Sequence, residues 1–262
     1  MSYLKYQFRQ LRKLVRRVIC GEQYSSAPVN KAVSQQMESL ETKSAPETRE
    51  RCHIILDDEF GHALSRQERR SVDALGMPLP WYTYPAIEYI RQLDFSNSRV
   101  FEYGAGYSSL FWAGIADSVI SVEKSTEWSD EIAARSPENL TLLTIPENPQ
   151  YEDSILAYGE FDVIIIDGSE RLQCANRAIK SLRSGGMIIL DNSDWYTKAA
   201  GALRENDFIQ VDMSGFGPIN QYTWSTSFFL RRDFSIRSRS LLQPVHGIGA
   251  LEVFAPEEEL LE

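Results

Sequence analysis

Residues 99–109 read RVFEYGAGYSS and decide the fold of this chain. A short apolar strand contains an acid, Glu102, and leads into two glycines one residue apart, Gly104 and Gly106, at the start of a helix. This order is typical of an α/β protein that lays its backbone against an adenosine-containing ligand. A dinucleotide-binding loop has a third glycine three positions after the second, and this chain has Ser109 there. The stretch therefore predicts a nucleoside site that is not of the dinucleotide type.

The alternation of apolar strands and helices that follows predicts a parallel sheet with helices on both faces. The next strand ends in Glu123, whose two carboxylate oxygens can accept both hydroxyls of a ribose. The run Val163–Ile166 is apolar throughout and β-branched, as expected of a strand buried on both faces, and Asp167 ends it. We therefore expect acids at three strand ends to line one crevice.

The pattern Glu-x-Gly-x-Gly resembles motif I of the class I S-adenosylmethionine-dependent methyltransferases. This resemblance covers about residues 80–230 and implies a doubly wound, mostly parallel seven-stranded sheet, the Rossmann-like methyltransferase fold. It implies S-adenosyl-L-methionine as the cofactor. The residues that would bind it are Glu102, Gly104, Ala105, Gly106, Glu123 and Asp167.

A second group of polar residues stands at the ends of the fourth and fifth strands. Asp167 ends the fourth strand, and Asp191 and Asn192 end the fifth. Two carboxylates and an amide oxygen suit Mg²⁺ or a similar divalent ion. The arrangement resembles that of metal-dependent O-methyltransferases such as the catechol and caffeoyl-CoA enzymes, and this resemblance implies Asp167, Asp191 and Asn192 as metal ligands.

The chain departs from the catechol-type pattern after the first of these acids. Those enzymes place a lysine there as a proton acceptor, whereas this chain has Glu170 and Arg171. The general base would then be Asp191, Glu170 or a metal-bound hydroxide, and we take Asp191 as the catalytic candidate. Alternatively, Asp167 only lines the cofactor site, while Asp191 and Asn192 cap the next helix.

Composition predicts five segments along the chain. Basic residues around an apolar stripe predict an amphipathic helix that lies on an anionic membrane surface or packs against protein. Polar residues with few large apolar side chains predict a flexible linker after it. The segments are a basic amphipathic helix (1–20), a linker (21–50), a helical lead-in with a helix around 65–75 (51–79), the methyltransferase domain (80–232) and a C-terminal extension (233–262).

Bulk composition narrows the location and the partners. The 262 residues carry a net charge of -10, which argues against nucleic acid as the main partner. Three scattered cysteines and no long apolar run fit a reducing cytoplasmic protein, with residues 1–20 as its contact to the inner membrane surface or to a protein partner. Homo-oligomerisation is left open.

Aromatic residues before the first strand and after the fifth predict a pocket wall for a flat or sugar-like acceptor, with several of them simply in the core. They are Trp81, Tyr82, Tyr84, Trp195, Tyr196, Phe216, Tyr222 and Trp224.

The sequence thus predicts a methyltransferase that acts on a small-molecule acceptor, at oxygen, with a divalent metal as an optional helper. Two alternatives stay open. One is a non-catalytic methyltransferase-like module tethered to a membrane or a partner. The other is a nicotinamide-dependent dehydrogenase, against which Ser109 and Glu102 both speak.

Overall fold

The computed structural model describes residues 45–241 and 243–251, which belong to two compact units. The first unit includes helix α1 (Ala45–His53), after which a π-helical turn follows at Ile54–Glu59. Residues 45–50 were predicted as linker and are helical instead. Glu47 in the first turn and Arg51 in the last complement the helix dipole, which favours this helix. The amphipathic helix predicted over 1–20 lies outside the described residues.

The second unit, Leu56–Ile248, carries the sheet and the candidate site. Its helices are α2 (His62–Glu68), α3 (Tyr84–Arg91), α4 (Tyr107–Ala113), α5 (Thr126–Ala133), α6 (Gln150–Asp153) with a 3₁₀ turn at Ser154–Ala157, α7 (Arg171–Ser181) and α8 (Thr197–Arg204). Its strands are β1 (Arg99–Tyr103), β2 (Ser118–Glu123), β3 (Leu140–Thr144), β4 (Phe161–Ile166), β5 (Leu182–Leu190), β6 (Ile209–Gly215) and β7 (Trp224–Leu230).

The seven strands form one sheet in the order β3-β2-β1-β4-β5-β7-β6. Strands β1 to β5 run parallel to one another, while β7 is antiparallel to both of its neighbours, β5 and β6. The chain order reverses between β1 and β4, and ligands of doubly wound sheets bind outside the strand ends at such a switch point. The topology therefore places Glu102 and Asp167 on the two strands that flank the expected crevice.

Two apolar clusters cover the two faces of the sheet. Val163 and Ile165 of β4 belong to one cluster, and Ile164 and Ile166 belong to the other, with all four side chains fully buried. Because successive residues of a strand point to opposite faces, an unbroken apolar run is what a strand covered on both sides requires. The prediction for this strand is confirmed.

Two element boundaries differ from the sequence prediction. Helix α2 ends at Glu68 instead of continuing towards 75, because Arg69 adopts a left-handed conformation with φ of 55°. Strand β5 begins at Leu182, ahead of the predicted Met187, and bulges against β4 near Gly185, whose φ is 76°. Among the described residues, no helix is long and apolar enough to cross a membrane.

Candidate functional site

The loop after β1 packs directly against the loop after β4. Gly104 has φ of 94°, and a Cβ atom there would lie 2.6 Å from the Gly168 Cα atom. Gly104 is therefore required by backbone-to-backbone packing as well as by its left-handed conformation. Gly106 has extended backbone, and a Cβ there would make only ordinary contacts, the nearest at 3.7 Å. The fold itself does not require Gly106, and its role in binding the cofactor stays a prediction.

Glu102 is fully buried beneath this loop. Its Oε2 atom accepts hydrogen bonds from the hydroxyls of Ser109 and of Ser121, the latter at 2.7 Å. Its Oε1 atom is buried and has no hydrogen-bond partner among the described residues. The pKa of Glu102 is raised to about 7, chiefly by burial, with the serine hydroxyls lowering it and the charge of Asp167 raising it. One acceptor of a buried carboxylate is thus left for a ligand.

Glu123 ends β2 with half of its carboxylate engaged. Its Oε1 atom accepts from the backbone N–H groups of Lys124 at 2.8 Å and Ser125 at 2.9 Å. Its Oε2 atom accepts nothing from the described part of the chain. The first pair of bonds fixes the side chain, and the second oxygen remains available for a hydroxyl donor. The Oε2 atom is thus the oxygen of Glu123 without a protein partner, and the binding of a ribose by this side chain stays a prediction.

Trp128 of α5 contacts the loop after β1, and it was not predicted as a site residue. Its indole Nε1–H donates to the carbonyl oxygen of Ala105 at 2.5 Å, and its ring is 39% exposed. Ser125 caps helix α5 by accepting from the Trp128 N–H at 3.2 Å, which sets the position of the ring. An aromatic residue shortly after the β2 acid is the sequence feature that could have indicated it.

Asp167 interacts electrostatically with both Glu102 and Glu123. Burial raises its pKa, the neighbouring Arg171 lowers it, and the charge of Glu123 raises it. Since Asp167 in turn raises the pKa of Glu102, the three carboxylates share one field at the ends of β1, β2 and β4. A crevice with this field favours a cationic ligand.

The predicted metal centre is instead bridged by a guanidinium group. Arg171, only 8% exposed, donates to the Asp167 carboxylate at 3.0 Å and to the Asn192 Oδ1 atom at 3.1 Å. It also donates to the backbone carbonyls of Asp167, Gly168 and Asp191. Its guanidinium lies 4.3 Å over the Tyr196 ring. A permanently charged cation thus occupies the position between the expected ligands.

The carboxylate of Asp191 is bonded to strand β7 and not to Arg171. Its Oδ1 atom accepts from Trp224 Nε1 at 3.0 Å and from the Thr226 hydroxyl at 2.5 Å, both on β7. The side chain is buried, and burial raises its pKa well above the usual value, with Asp167 adding to the rise. Its contact with Arg171 is made by the backbone carbonyl, so that its carboxylate does not join Asp167 and Asn192.

In this arrangement, Asp167 and Asn192 bind Arg171 while the Asp191 carboxylate binds β7, so the structure does not support the predicted metal ligands. The oxygens of Asp167 and Asn192 bind Arg171, and a second cation beside that guanidinium would meet its full charge. Within the described ranges, no group of acidic, histidine or cysteine side chains is arranged to hold a metal ion. The residues do not fit a magnesium site.

The aromatic residues divide between core and surface. Tyr82, Tyr84 and Trp224 are buried, as expected for part of the set. The exposed ones are Trp81, Trp195, Tyr196, Phe216 and Tyr222. The loop between β6 and β7 is bonded to α3, from Tyr84 N–H to the Phe216 carbonyl at 2.7 Å, and to the lead-in, from the His62 ring to the Asn220 carbonyl at 2.8 Å. This loop and the lead-in together wall one side of the site.

A cavity of about 790 Å³ opens beside the motif I loop. The aromatic side chains on its lining are Trp81, Tyr107 and Trp128, and basic ones come from α2 and the residue pair after it: Arg66, Arg69 and Arg70. These arginines were not predicted as site residues, although the run RQERR at 66–70 places three basic residues within five positions.

Comparison with known proteins finds similarity at the level of three-dimensional structure. No protein-family model matches the chain, and no curated protein sequence matches it either. Among solved structures, a precorrin-6y C5,15-methyltransferase from Geobacter metallireducens is 15% identical, with a TM-score of 0.46 over 56% of this chain and 86% of that chain. A methyltransferase from Pyrococcus furiosus is 14% identical, with a TM-score of 0.46 over 67% of this chain and 98% of the other.

A third solved structure, the fibrillarin pre-rRNA processing protein from Methanococcus jannaschii, is 20% identical, with a TM-score of 0.43 over 58% of this chain and 76% of that chain. The seven-stranded, mostly parallel sheet with helices on both faces is the doubly wound α/β architecture that the sequence predicted, and this prediction is confirmed. The roles of individual residues rest on the geometry given above.

Proposed function

We propose that this protein is an S-adenosylmethionine-dependent methyltransferase that acts on a small-molecule acceptor at oxygen. The observation that carries the proposal is the placement of Glu102, Glu123 and Asp167 at the carboxyl ends of three adjacent strands. Their mutual effect on pKa indicates a single acidic crevice. Such a crevice suits a ligand with an ammonium group, a sulfonium group and a ribose.

The residues fit this cofactor at two unsatisfied acceptors. The buried Oε1 atom of Glu102 is without a partner, and an ammonium group, directly or through a water, would satisfy it. The Oε2 atom of Glu123 stands ready for a ribose hydroxyl, with its partner oxygen fixed by two backbone N–H groups. When bound, S-adenosylmethionine supplies a methyl group on a positively charged sulfur.

The chain's own part in the reaction is to bind, align and exclude water. Displacement at a sulfonium methyl needs an in-line nucleophile and a dry site rather than covalent help from the protein. Asp191 stays the candidate that accepts the proton released from the acceptor hydroxyl, because a raised pKa makes its carboxylate a stronger base and Trp224 and Thr226 position its Oδ1 atom. Because Arg171 bridges the expected ligands, the proposal contains no divalent metal.

Calorimetric titration of the full chain tests the proposal. S-adenosylhomocysteine should bind at one site, and Glu123→Gln should weaken it, because an amide replaces one acceptor. Glu127→Gln, an exposed acid one turn away in α5, is the matched control and should leave binding unchanged. Binding of a nicotinamide dinucleotide without S-adenosylhomocysteine would support the dehydrogenase alternative instead.

Turnover separates an enzyme from a non-catalytic module. Transfer of a labelled methyl group from S-adenosylmethionine to a panel of hydroxylated small molecules is expected. Asp191→Asn should lower the rate while S-adenosylhomocysteine still binds. An intact cofactor site with no transfer to any member of the panel would favour the module reading.

A further inference from the structure

The cavity beside the motif I loop shares a wall with the proposed cofactor site. Tyr107 follows Gly106 directly and lines the cavity, and so does Trp128, whose indole is bonded to the Ala105 carbonyl. A ligand in the cavity would therefore lie next to the loop that is proposed to hold the cofactor. A methyl acceptor bound there would lie beside the proposed cofactor.

The cavity concentrates positive charge in an acidic protein. Arg66, Arg69 and Arg70 line it, and none of the three has an acidic partner within the described residues. Elsewhere in the same unit, five arginines are paired with carboxylates, while Arg99 and Arg231 donate to backbone carbonyls instead. These pairs are Arg91–Asp73, Arg171–Asp167, Arg177–Asp153, Arg183–Asp162 and Arg232–Asp207. Three unpaired guanidinium groups at one cavity, in a chain of net charge -10, point to an anionic ligand.

Two buried hydroxyl groups on the same lining also lack partners. The Ser71 Oγ and Tyr107 Oη atoms are buried without a hydrogen bond from any described residue, and both residues are at most 5% exposed. Buried polar atoms normally find a partner. Both residues lie on the lining, so a ligand in the cavity would bind beside two polar groups that the described part of the chain leaves without a partner.

The basic wall is held in place before any ligand arrives. The His62 Nε2–H group donates to the Asn220 carbonyl at 2.8 Å, which joins α2 to the loop between β6 and β7. The Ser65 hydroxyl donates to the Arg70 carbonyl at 2.6 Å, which fixes the turn that follows α2. The backbone that carries the arginines is thus preorganised, which reduces the entropy lost on binding.

We propose that this cavity binds the methyl acceptor through a phosphate group, so that the substrate is a phosphorylated small molecule with a flat body. A carboxylate is matched by one guanidinium, whereas a phosphate dianion presents enough oxygens for several charge-assisted hydrogen bonds. Trp81 and Trp128 are 43% and 39% exposed and offer flat surfaces for the rest of the molecule. This inference rests on the proposed function only in naming the ligand as the acceptor.

The test uses phenyl phosphate as the probe, with phenol and benzoate as its neutral and monoanionic counterparts. Each is titrated into the full chain saturated with S-adenosylhomocysteine. Phenyl phosphate should bind measurably and more tightly than benzoate, while phenol should bind most weakly. The triple variant Arg66→Gln, Arg69→Gln, Arg70→Gln should weaken phenyl phosphate by at least about tenfold, since it removes charge-assisted bonds.

A second triple variant controls for net charge. Arg204→Gln, Arg232→Gln, Arg237→Gln removes the same charge from exposed positions off the cavity lining and should leave the affinity for phenyl phosphate within about twofold. S-adenosylhomocysteine should bind both triple variants as it binds the unchanged protein, which also shows that they are folded.

Three results would overturn the inference. They are equal binding of phenyl phosphate and benzoate, an unchanged affinity in the first triple variant, and tighter binding of a single-stranded RNA that the same variant abolishes. The last would mean that the arginines serve a nucleic acid. If S-adenosylhomocysteine fails to bind the unchanged protein, the proposed function fails, while the response of phenyl phosphate to the two triple variants still decides the phosphate site.

Discussion

The two halves of the strand-end crevice use acids in opposite ways. At the ends of β1 and β2, Glu102 and Glu123 each keep one oxygen without a partner among the described residues. At the ends of β4 and β5, Asp167 is bonded to Arg171, and Asp191 is bonded to Trp224 and Thr226. The first half has acceptors left for a ligand, and the second half is largely satisfied by the protein itself.

An acid at a strand end is therefore not by itself a ligand site. Whether the acid stays available to a ligand depends on whether the helix that follows places a cationic side chain over the strand end. Arg171 is the first residue of α7, and from there it reaches the carbonyls of Asp167, Gly168 and Asp191. One side chain thereby converts an expected metal centre into a structural clasp.

The largest effect is expected from removing this clasp. Arg171→Met should lower the free energy of unfolding by about 3–5 kcal/mol, because it leaves the partly buried Asp167 carboxylate and several carbonyls without their donor. Arg183→Met is the matched control. That residue pairs with Asp162 at a more exposed position, and its loss should cost less than about 1 kcal/mol. Urea unfolding measures both, and similar losses in the two variants would contradict a structural role for Arg171.

Glu102→Gln should change how stability depends on pH. The pKa of Glu102 is raised from its usual 4.5 to about 7 in the folded protein, so the unfolded chain loses this proton first as pH rises. The folded state then binds more protons between these values, and stability falls across that window and levels off above it. The variant should lack this part of the fall and be more stable above about pH 8, by a gain on the order of 3 kcal/mol.

Unfolding in urea below about pH 5 and above about pH 8 measures this difference. Asp167 and Asp191, whose pKa values are also raised, titrate in both proteins, so the difference reports the loss of Glu102 together with its electrostatic coupling to Asp167. The same pH slope in the variant and the unchanged protein would mean that the pKa of Glu102 is not raised in the folded state.

Glu123→Gln sharpens the ligand-binding half of the comparison. We expect the dissociation constant of S-adenosylhomocysteine to rise about tenfold, since a charged acceptor for a hydroxyl is lost. Stability should hardly change, because an amide oxygen can still accept from the Lys124 and Ser125 N–H groups. Calorimetry and urea unfolding give the two numbers, and a large loss of stability with unchanged affinity would reverse the assignment.

Magnesium should have the smallest effect of all. Because Arg171 binds the oxygens of Asp167 and Asn192, added Mg²⁺ should not shift the melting temperature, and chelator should not lower the methyl-transfer rate. A rise in melting temperature with Mg²⁺ that Asp191→Asn abolishes would support the metal site that the sequence predicted.

The sequence predicted the fold because its evidence is local. The β-branched run of β4 and the paired glycines after β1 each constrain a few consecutive residues. The positions of Glu102, Glu123 and Asp167 at strand ends follow from the same reading. The metal prediction is not supported because it depended on where a long side chain reaches, and the position of the Arg171 guanidinium at the end of its flexible side chain does not follow from spacing alone.

The basic cavity wall was also beyond the sequence, for a different reason. Arg66, Arg69 and Arg70 precede the sheet in the chain, and they meet Trp128 only because α2 is bonded to the loop between β6 and β7. That contact joins residues 158 positions apart, His62 and Asn220. Long-range contacts of this kind leave no periodicity in the sequence.

A crystal structure of the full chain with bound S-adenosylhomocysteine tests the central claim most directly. The account predicts that a ribose hydroxyl lies within hydrogen-bond distance of the Glu123 Oε2 atom and that the amino group lies over Glu102, directly or through one water, with Arg171 still bonded to Asp167. Ligand bound away from both glutamates, or Arg171 displaced by a metal ion between Asp167 and Asn192, would contradict it.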